Sequence, residues 1–451
     1  MNLSTGDSLN AYEKCGVCLL CFAVLASTWC ASGTRPEFLM PILAASMLAG
    51  FIPMLFCRHF RGNKGGVALF MFFLLMIVGL FQPFNHWGVF HRNEFGSFVK
   101  PCAYLPFLPA SVDAPFREGN PFSALARIVI LTSVFAGARL VYSAPKALRY
   151  VLAFFCLNGV AMSVFAVLQK YCGVQAMYGV LYSASEMYGT FFLSNAAAAY
   201  LVLAMSANFA MSLECFRRGS VASAALYFAG AAICGVGAWY SESTFGFVSA
   251  LAVSSLFVLI CFYCALKKLV GNVSVSSAIT LVVASLCVAI AWGYSESVGA
   301  EKLISENGGY CDRMLFYRET AGFIAKAPVW GYGGDCLRYK LAPRIVELQK
   351  KSGKISYSAP VHAHSDVLEL VAEYGVVGAL FVAIALVCVL ADALRNRRNF
   401  SAVNMVVVAG LFVFFAHSAF DMNMLIPSNV AAFALLLPVC FSRFDGKEPR
   451  R

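Results

Sequence analysis

The stretch VHAHSDVLELVAEYGVVGALF, residues 361–381, sets two histidines and an aspartate directly ahead of an apolar run. Imidazole takes up and releases protons near neutral pH, so a hydrated His364 has the chemistry of a general base. The segment before it is rich in cations, among them Arg313, Arg318, Arg338, Lys340 and Arg344. The planar fork of arginine makes paired hydrogen bonds to phosphate oxygens. A diphosphate held by such arginines while a histidine deprotonates a hydroxyl is the minimum needed to move a sugar off a lipid diphosphate. Three blander readings stand beside this one. His364 is a polar surface residue, or the tract 338–354 is a solvated face beside anionic lipid headgroups. In the third, His362 and His364 face the same way from an extended segment and ligate a metal, although no third ligand stands at a useful spacing.

The elements that must position these residues are membrane helices. Of 451 residues, 60% are hydrophobic and 13% charged, about half the charged fraction of soluble domains. Twelve apolar runs, at roughly 15–33, 38–57, 66–83, 124–142, 150–169, 190–213, 221–240, 244–266, 276–294, 367–392, 402–420 and 424–442, are each about the length that spans a bilayer as a helix. The expected fold is therefore all-α: one integral membrane domain over residues 1–451, with about twelve transmembrane helices. The net charge of +11 does not indicate nucleic acid, because the basic residues recur in short connections. Arg58 and Lys64, Lys146 and Arg149, Arg217 and Arg218, Lys267 and Lys268, Arg395 and Arg397, and Arg443 all fall on one side if twelve spans alternate. That side is expected to be cytoplasmic, with both termini. Connections 83–123, 170–189 and 295–366 then lie outside, and the histidines with them. The first run reads as a retained signal-anchor rather than a cleaved leader.

Most of the seventeen cysteines lie in apolar runs, and the Cys15, Cys18, Cys21 ladder reads as small packing residues. Cys311 and Cys336 could bridge in an oxidising compartment or stay apart. Residues 83–123 suit a segment lying along the interface. Within the long connection 295–366, DRMLFYRETAGFIAK (312–326) reads as an amphipathic helix, ended by the breaker-rich APVWGYGGD. Arg313 and Tyr317, four apart, share one face of it, and Arg318 is rotated away.

Four stretches resemble the O-antigen ligase and polymerase family of bacterial membrane glycosyltransferases. GTFFLSNAAAAYL (189–201), with Asn195, resembles its Gly-Thr-Phe…Asn…Ala-Ala stretch. CDRMLFYRETAGFIAKAPVWGYGG resembles its Arg-x-x-x-aromatic helix and Pro-x-x-Gly-x-Gly, through Arg313, Tyr317, Pro328, Gly331 and Gly333. HSDVLELVAEYGVVG resembles its His-Asn-x-x-Leu…Glu-x-Gly-x-x-Gly, through His364, Leu368, Glu373, Gly375 and Gly378. HSAFDMNMLIPSN resembles its His-Ser-x-x-Asp…Pro, through His417, Ser418, Asp421 and Pro427.

The resemblance implies a GT-C-like, metal-independent transferase without cofactor, in the inner membrane, with its active site on the periplasmic side. It implies an undecaprenyl-diphosphate-linked glycan as donor and lipid A–core or a growing glycan as acceptor. Arg313 would hold the diphosphate and His364 would activate the acceptor hydroxyl, with His362 and Tyr317 beside them. Glu373 would orient a basic partner or make a structural hydrogen bond, and His417, Asp421 and Asn195 would brace the pocket. Where the family has Ser-Arg, this chain has Ser241, Glu242, Ser243 and Thr244. Arg318, Arg338 or Arg344 would then supply the missing charge, or Arg92 and Lys100 from the first external loop.

A ligase fits the histidine and C-terminal stretches better than a polymerase, and protein O-oligosaccharyltransferases share the plan. The competing class is a twelve-span carrier. Carriers put polar sites near the midplane, often in repeated halves; here the span centres are apolar, and Arg127, Arg139, Glu369 and Glu373 lie mostly toward ends. A noncatalytic membrane scaffold is the third class.

Overall fold

The computed structural model describes residues 9–33, 35–60, 64–94, 96–174, 176–181, 187–270, 309–351, 361–395 and 401–444. The expected span at 276–294 lies outside the described residues. Among them, nine helices are long and apolar enough to cross a membrane, joined by two shorter apolar helices at 402–418 and 427–441. The protein is an all-α polytopic membrane protein. In chain order the helices are α1 (Ala11–Trp29), α2 (Pro36–Leu55), α3 (Gly66–Phe81), α4 (Pro121–Val141), α5 (Pro145–Tyr171), α6 (Ser194–Arg217), α7 (Val221–Tyr240) and α8 (Thr244–Val270). After them come α9 (Gly309–Lys326), α10 (Arg338–Lys351), α11 (Asp366–Arg395), α12 (Ala402–Ser418) and α13 (Pro427–Leu436).

Helix starts follow local chemistry. Asn120 caps α4 by accepting from the Ser123 N–H, Ser123 bonds back to it, and Pro121 occupies the first turn where no N–H is needed. Helix α6 is 94% buried across its apolar window, and its run of small residues Ala196–Ala199 lets neighbouring helices come close. Thr28, Asn158 and Tyr200 bond one another at 2.8–2.9 Å inside the bundle, so α1, α5 and α6 are tied by polar groups that satisfy each other.

The two ends of the bundle differ chemically. At one end Lys64 donates to the Phe441 carbonyl, and Arg149 and Arg218 both donate to that of Phe444. The basic connections noted in the sequence thus converge there. At the other end the long connections pack on one another. Within the connection 83–123 the chain folds into a three-stranded sheet, order β2-β1-β3, of β1 (His86–Asn93), β2 (Gly96–Pro101) and β3 (Ser111–Asp113). Strand β1 pairs antiparallel with β2 and parallel with β3. The sheet docks on residues 330–340: Trp87 Nε1 donates to the Tyr332 carbonyl at 2.8 Å, and Lys340 lies 4.1 Å above the Trp87 ring.

The basic tract beginning at Arg338 folds as α10, which buries Leu341 and Ile345 against Phe316, Ala363 and Ala372 and turns Arg344 and Lys351 outward, while Arg338 and Lys340 point into the packed loops. Helix α11 is broken at Gly375 (φ 65°, ψ −173°). The segment after α9 fills the break: Tyr332 N–H donates to Ala372 O, Gly333 N–H to Glu373 O, and Val376 N–H to Pro328 O, at 2.8–2.9 Å. Irregular backbone at membrane depth is tolerated only when protein groups satisfy it in this way.

Candidate active site

His362 and His364 precede α11 at the end of the bundle that carries the sheet. Although two residues apart, they line different cavities. His364 adopts φ +53°, a left-handed conformation that costs a residue with a side chain free energy and is often kept at functional sites. Tyr317 OH fixes it by donating to the His364 carbonyl at 3.0 Å, and the Phe316 ring stacks on the imidazole at 6.1 Å. Its Nδ1 stands 3.9 Å from Asp421 Oδ1, too long for a hydrogen bond and close enough for the carboxylate to stabilise positive charge.

Asp421 is itself held in place. Asn195 Nδ2 donates to it at 2.7 Å and the Met422 N–H at 2.9 Å, and His417 Nε2 faces it at 3.8 Å. Burial pushes the Asp421 carboxyl up, but the facing rings of His364 and His417 outweigh that and leave it well below the usual carboxylate range. Asn195, His364, Asp421 and Asn423 line a cavity of about 220 Å³. Arg313 donates to the Phe420 carbonyl at 3.2 Å and lies 5.5 Å over the Phe245 ring, which also stacks on His417. The expected neighbours Arg313, Tyr317, His364, His417, Asp421 and Asn195 are therefore brought together.

His362 faces a second cavity, of about 350 Å³, whose lining includes Arg35, Arg117, Arg127, Asp335 and Arg338. Its Nδ1 meets Glu369 Oε1 at 2.6 Å, and the ring turns Nε2 toward Arg338 Nη2 at 3.5 Å. Arg127 pairs with Asp335 at 2.5 Å, and Ser123 donates to the same carboxylate. Burial alone raises the Asp335 carboxyl; the Arg127 and Arg338 guanidiniums outweigh it and hold it at about 2. The two cavities share the walls Leu193 and Met422.

Arg318 and Arg344 do not join either cavity. Arg318 is 70% exposed and binds Glu319, while Arg344 binds Glu319 and Glu347, an outward network on α9 and α10. Arg92 likewise pairs with Glu118 at the surface. Glu373 lies in the break of α11, where its carbonyl accepts from Gln82 Nε2 and its buried side chain shares a cavity wall with Arg127. Among the described residues no group of three or more His, Cys, Asp or Glu is placed to hold a metal ion. Cys336 carries a buried free thiol that donates to the Gly334 carbonyl, which leaves it unbridged; the Cys311 side chain lies outside what is described.

Arg35, Arg117 and Asp335 carry no functional signal in the sequence, where Arg127 and Glu369 read only as charges near helix ends. A charge inside an apolar helix is itself a signal of function, and it would have found Arg127 and Glu369. Nothing in the sequence relates Arg35 to Arg117.

Residues 187–383 match the family model described as O-antigen ligase, a region that takes in the first three of the four resembling stretches. No curated protein matches the chain. The matched region, with Asn195, Arg313 and His364 inside it, makes this part of the chain similar to the O-antigen ligase family.

Proposed function

We propose that the protein transfers a glycan from undecaprenyl diphosphate to a hydroxyl of lipid A–core or a similar acceptor, on the periplasmic side of the inner membrane. The observation that carries this reading is the convergence of His364 and His417 on Asp421, with Arg313 over the Phe245 ring that stacks on His417, together with the match to the O-antigen ligase family model. The basic end of the bundle, opposite the site, is then the cytoplasmic end.

In this mechanism the acceptor hydroxyl attacks the anomeric carbon and its proton passes to His364 Nε2. The bond from that carbon to the diphosphate oxygen breaks, and undecaprenyl diphosphate leaves with the negative charge. Asp421, beside Nδ1, stabilises the imidazolium formed. Arg313 stabilises the charge that develops on the leaving phosphate, an electrostatic role that often dominates catalysis. Tyr317 and Asn195 position these groups; neither touches the reacting atoms.

The test is a transfer assay on purified protein with an undecaprenyl-diphosphate oligosaccharide, run in EDTA. Lipid A–core and a second donor molecule are offered as acceptors, and released lipid diphosphate is followed. Transfer to lipid A–core is expected. Transfer only to the second donor makes the protein a polymerase, and release with neither acceptor rules out both.

A further inference from the structure

Asn423 is 1% exposed, and neither its Oδ1 nor its Nδ2 has a hydrogen-bond partner among the described residues. A buried amide with both groups unpaired costs folding free energy, and native structures pair the large majority of such groups. The turn that carries it is pinned on both sides. Met424 N–H donates to Asp366 Oδ2 at 2.8 Å, and Ile426 N–H to the Asn423 carbonyl at 3.3 Å. Before it, Met422 N–H donates to Asp421 Oδ1 at 2.9 Å, and the Asp421 carbonyl accepts from the Asp366 N–H at 3.0 Å. The backbone is thus tied to the start of α11, and the amide does not reach water by a shift of its own turn.

The amide is held in the wall of the His364 cavity, beside Asp421 and Asn195. Asn195 already donates Nδ2 to Asp421. Neither arginine nor lysine is among the described residues lining this cavity, and Asp421 is its one carboxylate. A phosphate or carboxylate there would meet negative charge with no cation to offset it, so the cavity fits an uncharged polar group. Its volume, about 220 Å³, falls below the roughly 300–1,000 Å³ of pockets for drug-sized ligands and suits a single sugar ring. Leu193 and Ala196 supply apolar surface for the C–H face of such a ring. A side-chain amide sets a donor beside an acceptor. That pair matches two neighbouring hydroxyls, one accepting from Nδ2 and the other donating to Oδ1.

Resting on the transferase reading above, we infer that Asn423 binds two adjacent hydroxyls of an uncharged terminal sugar on the acceptor. Held by those two groups, the ring presents a third hydroxyl to His364. The choice of the hydroxyl that is glycosylated is then set by Asn423, while His364 only takes the proton.

The experiment uses the full chain in detergent. The acceptor that supports transfer, lipid A–core or a second donor molecule, is offered whole and with its terminal sugar deoxygenated at one position at a time. With the wild type, one deoxy form is expected to be inert because it lacks the attacked hydroxyl. Two others are expected to lose tenfold or more in kcat/KM, since a site built to hydrogen-bond a hydroxyl strongly rejects the analogue without it. Asn423→Leu puts an apolar side chain of similar size in place of the amide. It is expected to lose tenfold or more with the whole acceptor and nothing further with those two deoxy forms. Its thermal midpoint is expected to hold or rise, because an unpaired buried amide is gone.

A wild-type series in which only the inert form differs from the whole acceptor overturns the assignment, and this reading needs no variant to fold. Wild-type transfer by Asn423→Leu also overturns it, and both results leave the transferase standing. A lowered midpoint with equal losses across the deoxy forms makes Asn423 structural. A wild type that transfers to neither acceptor overturns the transferase reading instead. Titration calorimetry with methyl glucoside and methyl galactoside then decides the site: binding lost in Asn423→Leu supports it, and equal or absent binding in both proteins overturns it.

Discussion

Gly375 and Val329 meet backbone to backbone: a Cβ on Gly375 would lie 2.0 Å from the Val329 carbonyl oxygen. Gly375 also sits at φ 65°, ψ −173°, a region open essentially to glycine alone. Gly375→Ala therefore meets both strain and collision. Strain alone costs about 1–3 kcal/mol, and the collision forces the Pro328–Gly333 segment off the broken helix. A clearly lowered thermal midpoint in detergent is expected, with transfer lost because Tyr332 and Arg338 follow that segment. An unchanged midpoint would mean that the break in α11 is not held by this contact.

His364→Ala removes the proposed proton acceptor and, of the ring's packing, the stack on Phe316. Loss of a general base costs typically 10²- to 10⁴-fold in rate, and a loss in that range is expected at normal protein abundance. Asp421→Asn keeps the shape of the side chain and removes the charge beside Nδ1, so a smaller loss, at least about tenfold, is expected. Transfer at the wild-type rate in His364→Ala would remove this residue from the chemistry.

How much of this was legible in the sequence follows from the range of each signal. Hydrophobic runs report helices locally, so α1–α8 and α11–α13 were visible to within a few residues, as was the helix carrying Arg313 and Tyr317. Residues 86–113 form strands with mixed, weakly alternating burial, a pattern that aromatics and prolines obscure. The spacing of His362 and His364 suggested a common direction, but the left-handed φ at His364 turns the two rings into separate cavities. The arginine cavity draws on residues from 35 to 338 and could emerge only from the packing of the loops.

Arg313→Lys tests the guanidinium itself. Lysine keeps the charge but not the planar fork, so it cannot hold the Phe420 carbonyl and also offer coplanar paired donors to a phosphate. Hydrogen bonds to charged groups are worth about 1.5–3 kcal/mol, so a fall in kcat of roughly 10- to 100-fold is expected. Arg318→Gln, on the outward network with Glu319, is expected to cost less than about threefold, in keeping with surface ion pairs of about 0–1 kcal/mol. Equal losses in the two variants would show that the face of α9 bearing Arg313 has no special role.

Asp335 gives the bundle a pH dependence whose sign is fixed. Its folded value, about 2, lies below the ordinary carboxylate value near 3.9, so the unfolded chain binds this proton more readily than the folded one. The stability it contributes is complete above about pH 4 and is lost as pH falls toward 2. Asp335→Asn leaves Arg127 buried beside a neutral amide, which costs about 3–5 kcal/mol at neutral pH. The gap in thermal midpoint between wild type and Asp335→Asn is therefore expected to be wide at pH 7 and to narrow between pH 4 and pH 2. A gap that stays constant with pH would show that the Arg127–Asp335 pair acts through packing rather than through charge.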